Sequence, residues 1–404
     1  MIGNAQLVAL SEGVHGGAEP LEFRNELFRY LVEQRGFTAI AIESGSVEGR
    51  VVHDYVRGGP GSLSYVMANG FSWTFGRLPQ NRALVRWLRD YNADARHTRK
   101  INFYGFDVPG SPGNARAKRG MDTALREALT YLSGVDPASA AALQRRLGST
   151  LDRLRFDLAR PPGAPGYDEL SQAERDALTA TIADLVTLLE RREGVYVTAS
   201  SASDYTWAYR AAIGARQADS WLRQMPVNWQ PARPPVRFPS APVSFLSAAS
   251  DVRDRAQADN LDWIVRQEGA SGKVLIYASR YHLSATSIGT AGFLPNGSRQ
   301  FVAGTYLRRR FGPRLVTIGN LIGGGSWGCP DSGTLGPAPP QSMDGIAGEL
   351  HVPSFLLDLR TAPVPVVNWL DEAHQIGQGS NVFHLTIGEA FDILLYLGAV
   401  TPAC

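Results

Sequence analysis

The stretch Ala5-Gln6-Leu7-Val8-Ala9-Leu10-Ser11-Glu12-Gly13-Val14-His15-Gly16 decides how this 404-residue chain is read. Its apolar run, Ala5 to Leu10, has the length and composition of a buried strand, and the glycines after it punctuate a turn. A carboxylate and an imidazole at the carboxyl end of a buried strand suit packing poorly. They suit acid–base chemistry well, and in open α/β sheets that end of the strands is where ligands bind.

Working outward, Glu19 to Arg35 carries Leu21, Leu27, Phe28 and Leu31 at helical spacing, with Gly36 as a stop. Phe37 to Ile42 reads as a second strand ending at Glu43, and Asn81 to Tyr91 as a helix. Ile101 to Phe106 reads as a third strand ending at Asp107. Three successive strands thus end in an acid or an acid–histidine pair, which would collect Glu12, His15, Glu43 and Asp107 on one rim.

From Arg116 to Arg223 the chain turns alanine- and arginine-rich with helical periodicity. Four helices are expected there: Arg119–Leu132, Pro137–Leu158, Asp168–Arg192 and Ser200–Arg223. A proline-rich connection, Pro226 to Pro242, returns it to α/β alternation. Strands are expected at Val243–Leu246, Lys273–Ala278, Leu315–Ile318, Phe355–Leu359 and Ile393–Leu397, with a helix over Val252–Arg266. The expected architecture is one α/β domain over residues 1–404 with a central mixed, largely parallel sheet and helices on both sides. A helical insertion near 115–225 lies over the active-site rim, and 323–345, rich in Gly, Pro and Ser, reads as a loop able to act as a lid.

Composition narrows the function classes. A hydrophobic share of 44% fits a globular protein, and a net charge of +2 gives no support for nucleic acid or an anionic membrane surface. No apolar run reaches the roughly 20 residues of a membrane span, and no secretory signal is visible, so a cytoplasmic location is expected. Two cysteines, Cys329 and Cys404, imply no disulfide framework and suit a reduced compartment. Cys329 has no adjacent base to make it a nucleophile. Glu12-x-x-His15 follows a strand and offers two ligands, unlike the helical zinc motif of metalloproteases, so neither metal nor other cofactor is expected.

Taken together, these segments resemble the erythromycin esterase family. The resemblance runs from Ser11-Glu12-Gly13-Val14-His15-Gly16 through Glu22-Phe23-Arg24 and Gly36-Phe37 to Ile42-Glu43. It continues through Trp87-Leu88-Arg89-Asp90-Tyr91-Asn92, Phe103-Tyr104-Gly105-Phe106-Asp107 and Arg253-Asp254-Arg255, then Lys273 to Ala278 and His282. It closes with Phe355 to Arg360 and Ala390-Phe391-Asp392. The resemblance implies a metal-independent hydrolase in which His15 activates water, with Glu12 beside it, Glu43 on the next strand and Arg24 on the intervening helix. His282 is a second candidate imidazole. Candidate substrate contacts are Asp107, Ser279, Arg280 and Trp73. The chain departs from the family pattern in two places. Ser279-Arg280-Tyr281-His282 stands where the family has His-Asn-x-His, which removes one ionisable group, and Gln80 stands where relatives tend to carry glutamate.

The chemistry of the residues agrees with that division of roles. A neutral imidazole can accept a proton near neutral pH, a neighbouring carboxylate can fix its tautomer, and an arginine can hold an oxyanion through two bonds. The blander readings are a helix-capping His15, a turn-capping Glu12, a Glu43–Arg24 ion pair, a hydrogen-bonding Asp107, Arg253 and Arg255 in surface pairs, and Arg280 pointing to solvent. The expected partner is a small ester, lactone or polyketide-like molecule. Two rival functions stand beside hydrolysis: elimination, dehydration or cyclisation on the same fold, and non-catalytic sequestration of a ligand.

Overall fold

A computed structural model describes residues 1–72, 74–109, 120–154, 167–224, 243–290, 299–329, 332–377 and 382–404. Four strands carry the rim: β1 (Leu7–Glu12), β2 (Ala39–Gly45), β3 (Asn102–Asp107) and β4 (Val274–Ser279). With the strands Leu315–Ile322, Ile393–Leu397 and Ser354–Asp358 they form a seven-stranded sheet. Its order is β3, β2, β4, β1, then Leu315–Ile322, Ile393–Leu397 and Ser354–Asp358. All neighbours run parallel except the last pair. The expected mixed, largely parallel sheet with flanking helices is what the chain forms. β1 and β2 are buried along their whole length, the signature of strands covered on both faces.

Alternation sorts the side chains. Val8, Leu10, Ile40, Ile42, Phe103 and Leu275 pack under the helices Ala18–Arg35 and Pro79–Ala93. Leu7, Ala9, Ala39, Ala41 and Ile276 face the opposite way, against Leu261, Ile264 and Val265 of the helix Val243–Glu268. Each of the Val, Leu, Ile and Phe side chains among them, fully buried, is worth about 1.5–3 kcal/mol in transfer from water. Gly36 ends the first helix as its sequence position promised: its φ of 70° is left-handed, and its N–H bonds Leu31 O. Gly49 lets the helix Ser46–Val56 lie directly on β3, since a Cβ there would come within 2.2 Å of Gly105 N.

The insertion is helical, over Met121–Val135, Pro137–Leu147, Thr150–Arg153, Gln172–Arg191, Glu193–Ala199 and Ala202–Leu222, and has its own core around Leu125, Leu129, Ile182 and Tyr196. The expected third and fourth helices form unbroken over Gln172–Arg191 and Ala202–Leu222, whereas the expected second acquires a break. Pro137–Leu158 instead ends at Leu147, where Gly148 adopts a φ of 49°, and residues 155–158 lie outside the described residues.

Three expectations need correction. Val243–Leu246 is not a strand but the first turn of the helix Val243–Glu268; a four-residue apolar run cannot by itself tell a strand from a helix start. The 323–345 segment holds a two-stranded hairpin, Gly325–Gly328 with Ser332–Leu335. Gly328 N–H bonds Gly16 O, and Ser326 N–H bonds Val400 O, so the hairpin is stitched to the molecule by the backbone bonds its glycines permit. Finally, Cys329 and Cys404 form a disulfide with a Cα–Cα distance of 5.3 Å. A count of two could not reveal that folding brings positions 75 residues apart together.

Candidate active site

The rim forms where β1, β2, β3 and β4 end. Glu12 is the last residue of β1 and stands opposite Ser279 of β4. Leu10 and Ile42 flank Tyr277 on the two sides of β4, so Tyr277 lies on the same face as Glu12 two residues further along. The Tyr277 hydroxyl donates to Glu12 Oε2 at 2.7 Å, while Glu12 Oε1 lies 2.6 Å from His15 Nδ1. Both Glu12 oxygens are therefore committed, and the His15 ring is held by its Nδ1 with Nε2 left for other partners. His15 itself stands at the rim with 48% of its side chain exposed. Withdrawal from water works to lower its pKa, but the Glu12 carboxylate outweighs this and raises it to about 9.

β2 slips register against β3 between Ile42 and Gly45, a bulge centred on Glu43 and Ser44. Bulges re-aim side chains, and here the re-aimed side chain is Glu43. Its Oε2 accepts the Ser279 N–H at 2.8 Å; its Oε1 accepts from Arg253 Nη2 at 2.8 Å and lies 3.3 Å from His282 Nε2. Burial alone would raise the Glu43 pKa, yet His282 and then Arg253 hold it well below the usual carboxylate range. His282 is buried between two acids, with Nδ1 2.8 Å from Asp254 Oδ1. Burial pulls its pKa down, Asp254 more than compensates, and the ring is pushed up to about 9. Both ring nitrogens then donate, which suits a ring facing a carboxylate on each side.

Asp107 ends β3 wholly buried. It takes two parallel bonds from Arg253, Nε to Oδ1 at 3.0 Å and Nη2 to Oδ2 at 2.6 Å, and a third from Gln257 Nε2 at 3.1 Å. Burial tends to raise its pKa, and Arg253 holds it below the ordinary value. Arg24, from the helix Ala18–Arg35, is buried with Nε and Nη2 donating to Asn25 Oδ1, and its guanidinium lies 4.8 Å from the Tyr277 ring centre. Among the described residues no carboxylate lies within ion-pair distance of Arg24, so its charge is only partly answered by protein. The rim as a whole gathers four carboxylates (Glu12, Glu43, Asp107, Asp254) and four basic groups (His15, Arg24, Arg253, His282).

A small, partly open cleft adjoins this array, lined by Glu12, Arg24, Glu43, Phe75, Asn81 and Tyr277 among others. Asn81 donates from Nδ2 to Phe75 O, which leaves its buried Oδ1 without a protein partner. The sequence-derived candidates fall into three groups. Glu12, His15, Glu43, Arg24 and His282 come together at the rim. Asp107, Ser279 and Arg280 are engaged by protein: Ser279 caps the short helix Arg280–Leu283, and Arg280 is buried with Nη1 donating to Asn320 O. Trp73 lies outside the described residues.

Several blander readings give way here. Glu43 pairs with Arg253 and His282, not with Arg24, because the bulge turns it toward the helix Val243–Glu268. Arg280 does not point to solvent. Arg253 is no surface charge at a helix start but a largely covered group inside a long helix, its side chain 13% exposed, whereas Arg255, two residues on, does pair on the surface with Asp259. Tyr277, Arg253, Asp254 and Gln257 have no place in the site as read from the sequence, where the first three enter as part of the family resemblance. The available signal was the spacing of Arg253, Asp254, Gln257 and Asn260, a polar stripe at i, i+1, i+4 and i+7 on a helix whose other side is apolar. Among the described residues no group of three or more His, Cys, Asp or Glu side chains is arranged to hold a metal ion.

Residues 32–400 match the family profile described as erythromycin esterase. The chain belongs to the erythromycin esterase family. It is 26% identical over 309 residues to an erythromycin esterase type II of Escherichia coli, a match covering 74% of this chain and 66% of that protein. It is 30% identical over 111 residues to an erythromycin esterase type I of Escherichia coli, covering 28% of this chain and 26% of that one. The fold is shared with a solved Bacillus cereus protein at TM-score 0.78 and 23% identity, covering 99% of this chain and 90% of that one. It is shared also with a succinoglycan biosynthesis protein at TM-score 0.74 and 22% identity, covering 99% and 89%. An erythromycin esterase mutant in its open conformation matches at TM-score 0.70 and 18% identity, covering 99% and 92%.

Proposed function

We propose that this erythromycin esterase family member hydrolyses an ester or lactone of a polyketide-like natural product, with His15 as general base. The observation that carries the reading is the 2.6 Å contact between His15 Nδ1 and Glu12 Oε1 beside a pocket that also receives Arg24. Glu12, itself held by Tyr277, fixes the ring so that Nε2 meets a water. A substrate covering the half-exposed ring removes it from water, which disfavours the imidazolium and moves its pKa down toward the working range. Neutral His15 then takes a proton from water as the oxygen bonds the acyl carbon, and the carbonyl electron pair moves onto oxygen. Arg24 stabilises that oxyanion. Collapse breaks the bond to the alkoxy oxygen, and the proton returns from His15 to the leaving alcohol. Glu43, Arg253 and His282 hold the opposite wall in one charge arrangement.

Incubating the protein with macrolide lactones and simpler esters in heavy-oxygen water tests this. Label in the released carboxylate is the expected result, and His15→Asn should remove turnover while leaving circular dichroism and thermal unfolding unchanged. A product lighter by one water, or an isomer without label, would transfer the proton-abstracting role of His15 to elimination or cyclisation. Binding without conversion would leave sequestration.

A further inference from the structure

The large exposed apolar side chains of this molecule are not scattered. Of fourteen among the described residues, nine fall between Ile346 and Trp369, including Leu350 at 62% and Val364 at 72% exposure. The centre of that segment is the strand Ser354–Asp358, which lies at the edge of the seven-stranded sheet and, among the described residues, pairs only with Ile393–Leu397.

The backbone of this edge can be assigned by alternation. Pro353 O accepts from Gly398 N–H, and Leu359 N–H donates to Asp392 O, so residues 353 and 359 bond inward. In an antiparallel ladder the inward positions alternate, which turns the N–H and C=O of Ser354, Leu356 and Asp358 outward. Leu356, in the middle, presents a donor and an acceptor with no backbone partner among the described residues, next to the exposed Leu357. An outward ladder row needs hydrogen-bonding partners, which a lipid surface cannot supply and another strand can.

We infer that this edge is a homodimer interface, in which two copies pair antiparallel through Ser354–Asp358 about a twofold axis and continue the sheet from one copy into the next. A register centred on Leu356 places Leu356 opposite its counterpart and Phe355 opposite Leu357. Ser354 then lies opposite Asp358, so no like charges are opposed. Asp358 is already neutralised within its own chain by Arg360 at 2.6 Å. The interface is isologous, as a twofold requires. At their observed exposures, the nine residues present on the order of 700 Å² per copy, close to the roughly 800 Å² per partner of a standard interface. The inference is independent of the proposed chemistry.

Sedimentation velocity of the full chain over a wide concentration range reads this directly. The expected result is a species of twice 43.8 kDa. Leu357→Glu with Val364→Glu should return it to one copy, and so should Leu356→Pro, which removes only the outward N–H. Both variants alter exposed positions, so an unchanged circular dichroism spectrum accompanies the expected result, and thermal unfolding of the wild type alone should depend on protein concentration. A wild-type protein that stays monomeric overturns the proposal, as does a dimer that survives both variants. A monomer that floats with phosphatidylcholine vesicles also overturns it and gives the patch to a membrane.

Discussion

Arg253 and Asp107, 146 positions apart in sequence, meet through two parallel hydrogen bonds of 3.0 and 2.6 Å, and the same guanidinium reaches Glu43 at 2.8 Å. The long helix Val243–Glu268 thereby carries the cation that ties the ends of β2 and β3 together. Removing one member of a buried pair leaves the other charge without compensation, at a cost of about 3–5 kcal/mol. Asp107→Asn and Arg253→Met should each lose stability on that scale in urea unfolding. The double variant should lose less than the two losses added. Strict additivity would mean that the pair does not act as a unit.

The His15 ring should titrate far from the ordinary histidine value. With Glu12 raising it to about 9, its proton is lost only in the alkaline range in the free enzyme. NMR of ring-labelled histidine should show one exposed ring titrating near that value and moving down toward about 6.5 in Glu12→Gln. If hydrolysis is measured, kcat/KM should rise with pH through the same range, because His15, the proposed base, could accept a proton only when neutral. A His15 ring that titrates near 6.5 in the wild type would remove the Glu12 contact from the account.

The Glu43–His282–Asp254 array predicts how stability depends on pH. His282 has its folded pKa raised to about 9, so its contribution is complete below about 6.5, the unfolded value, and is lost as pH rises through 9. Glu43 has its folded pKa lowered, so its contribution is complete above about 4.3 and is lost only in strong acid. Thermal unfolding should therefore be flat between about pH 5 and 6.5 and decline toward pH 9 and beyond. His282→Gln should flatten the alkaline decline.

The disulfide between Cys329 and Cys404 closes a loop with a sequence separation of 75. Breaking it should cost about 2–4 kcal/mol, chiefly by freeing the unfolded chain. Cys404→Ser and a reduced wild type should show matching losses in urea unfolding. Equal stability of the oxidised and reduced protein would mean that the backbone bonds from Ala403 and Gly328 to Gly16 already hold this corner.

What was legible in the sequence is what depends on near neighbours. Alternation and apolar runs located β1 to β3 and the strand Ile393–Leu397, and placed Glu12 and His15 three residues apart after a strand. Gly36 announced its helix end because only local conformation is at stake there. The limits have the same origin. Val243–Leu246 was too short for its periodicity to distinguish strand from helix. Cysteine spacing carries no distance in space. Nothing local to Arg253 says that it will face Asp107 and Glu43 instead of water.

The sequence by itself therefore determined the class of fold and the acid–imidazole pair at the end of β1, since both follow from hydrophobic period and short spacing. Tertiary structure alone decided the partners: Tyr277 for Glu12, Arg253 for Asp107, and Asp254 with Glu43 for His282. Those choices depend on strand order, which slots β4 between β2 and β1, and on the bulge that turns Glu43. Both are settled by packing among segments hundreds of residues apart, and a charge buried by that packing takes its pKa from whatever the fold sets beside it.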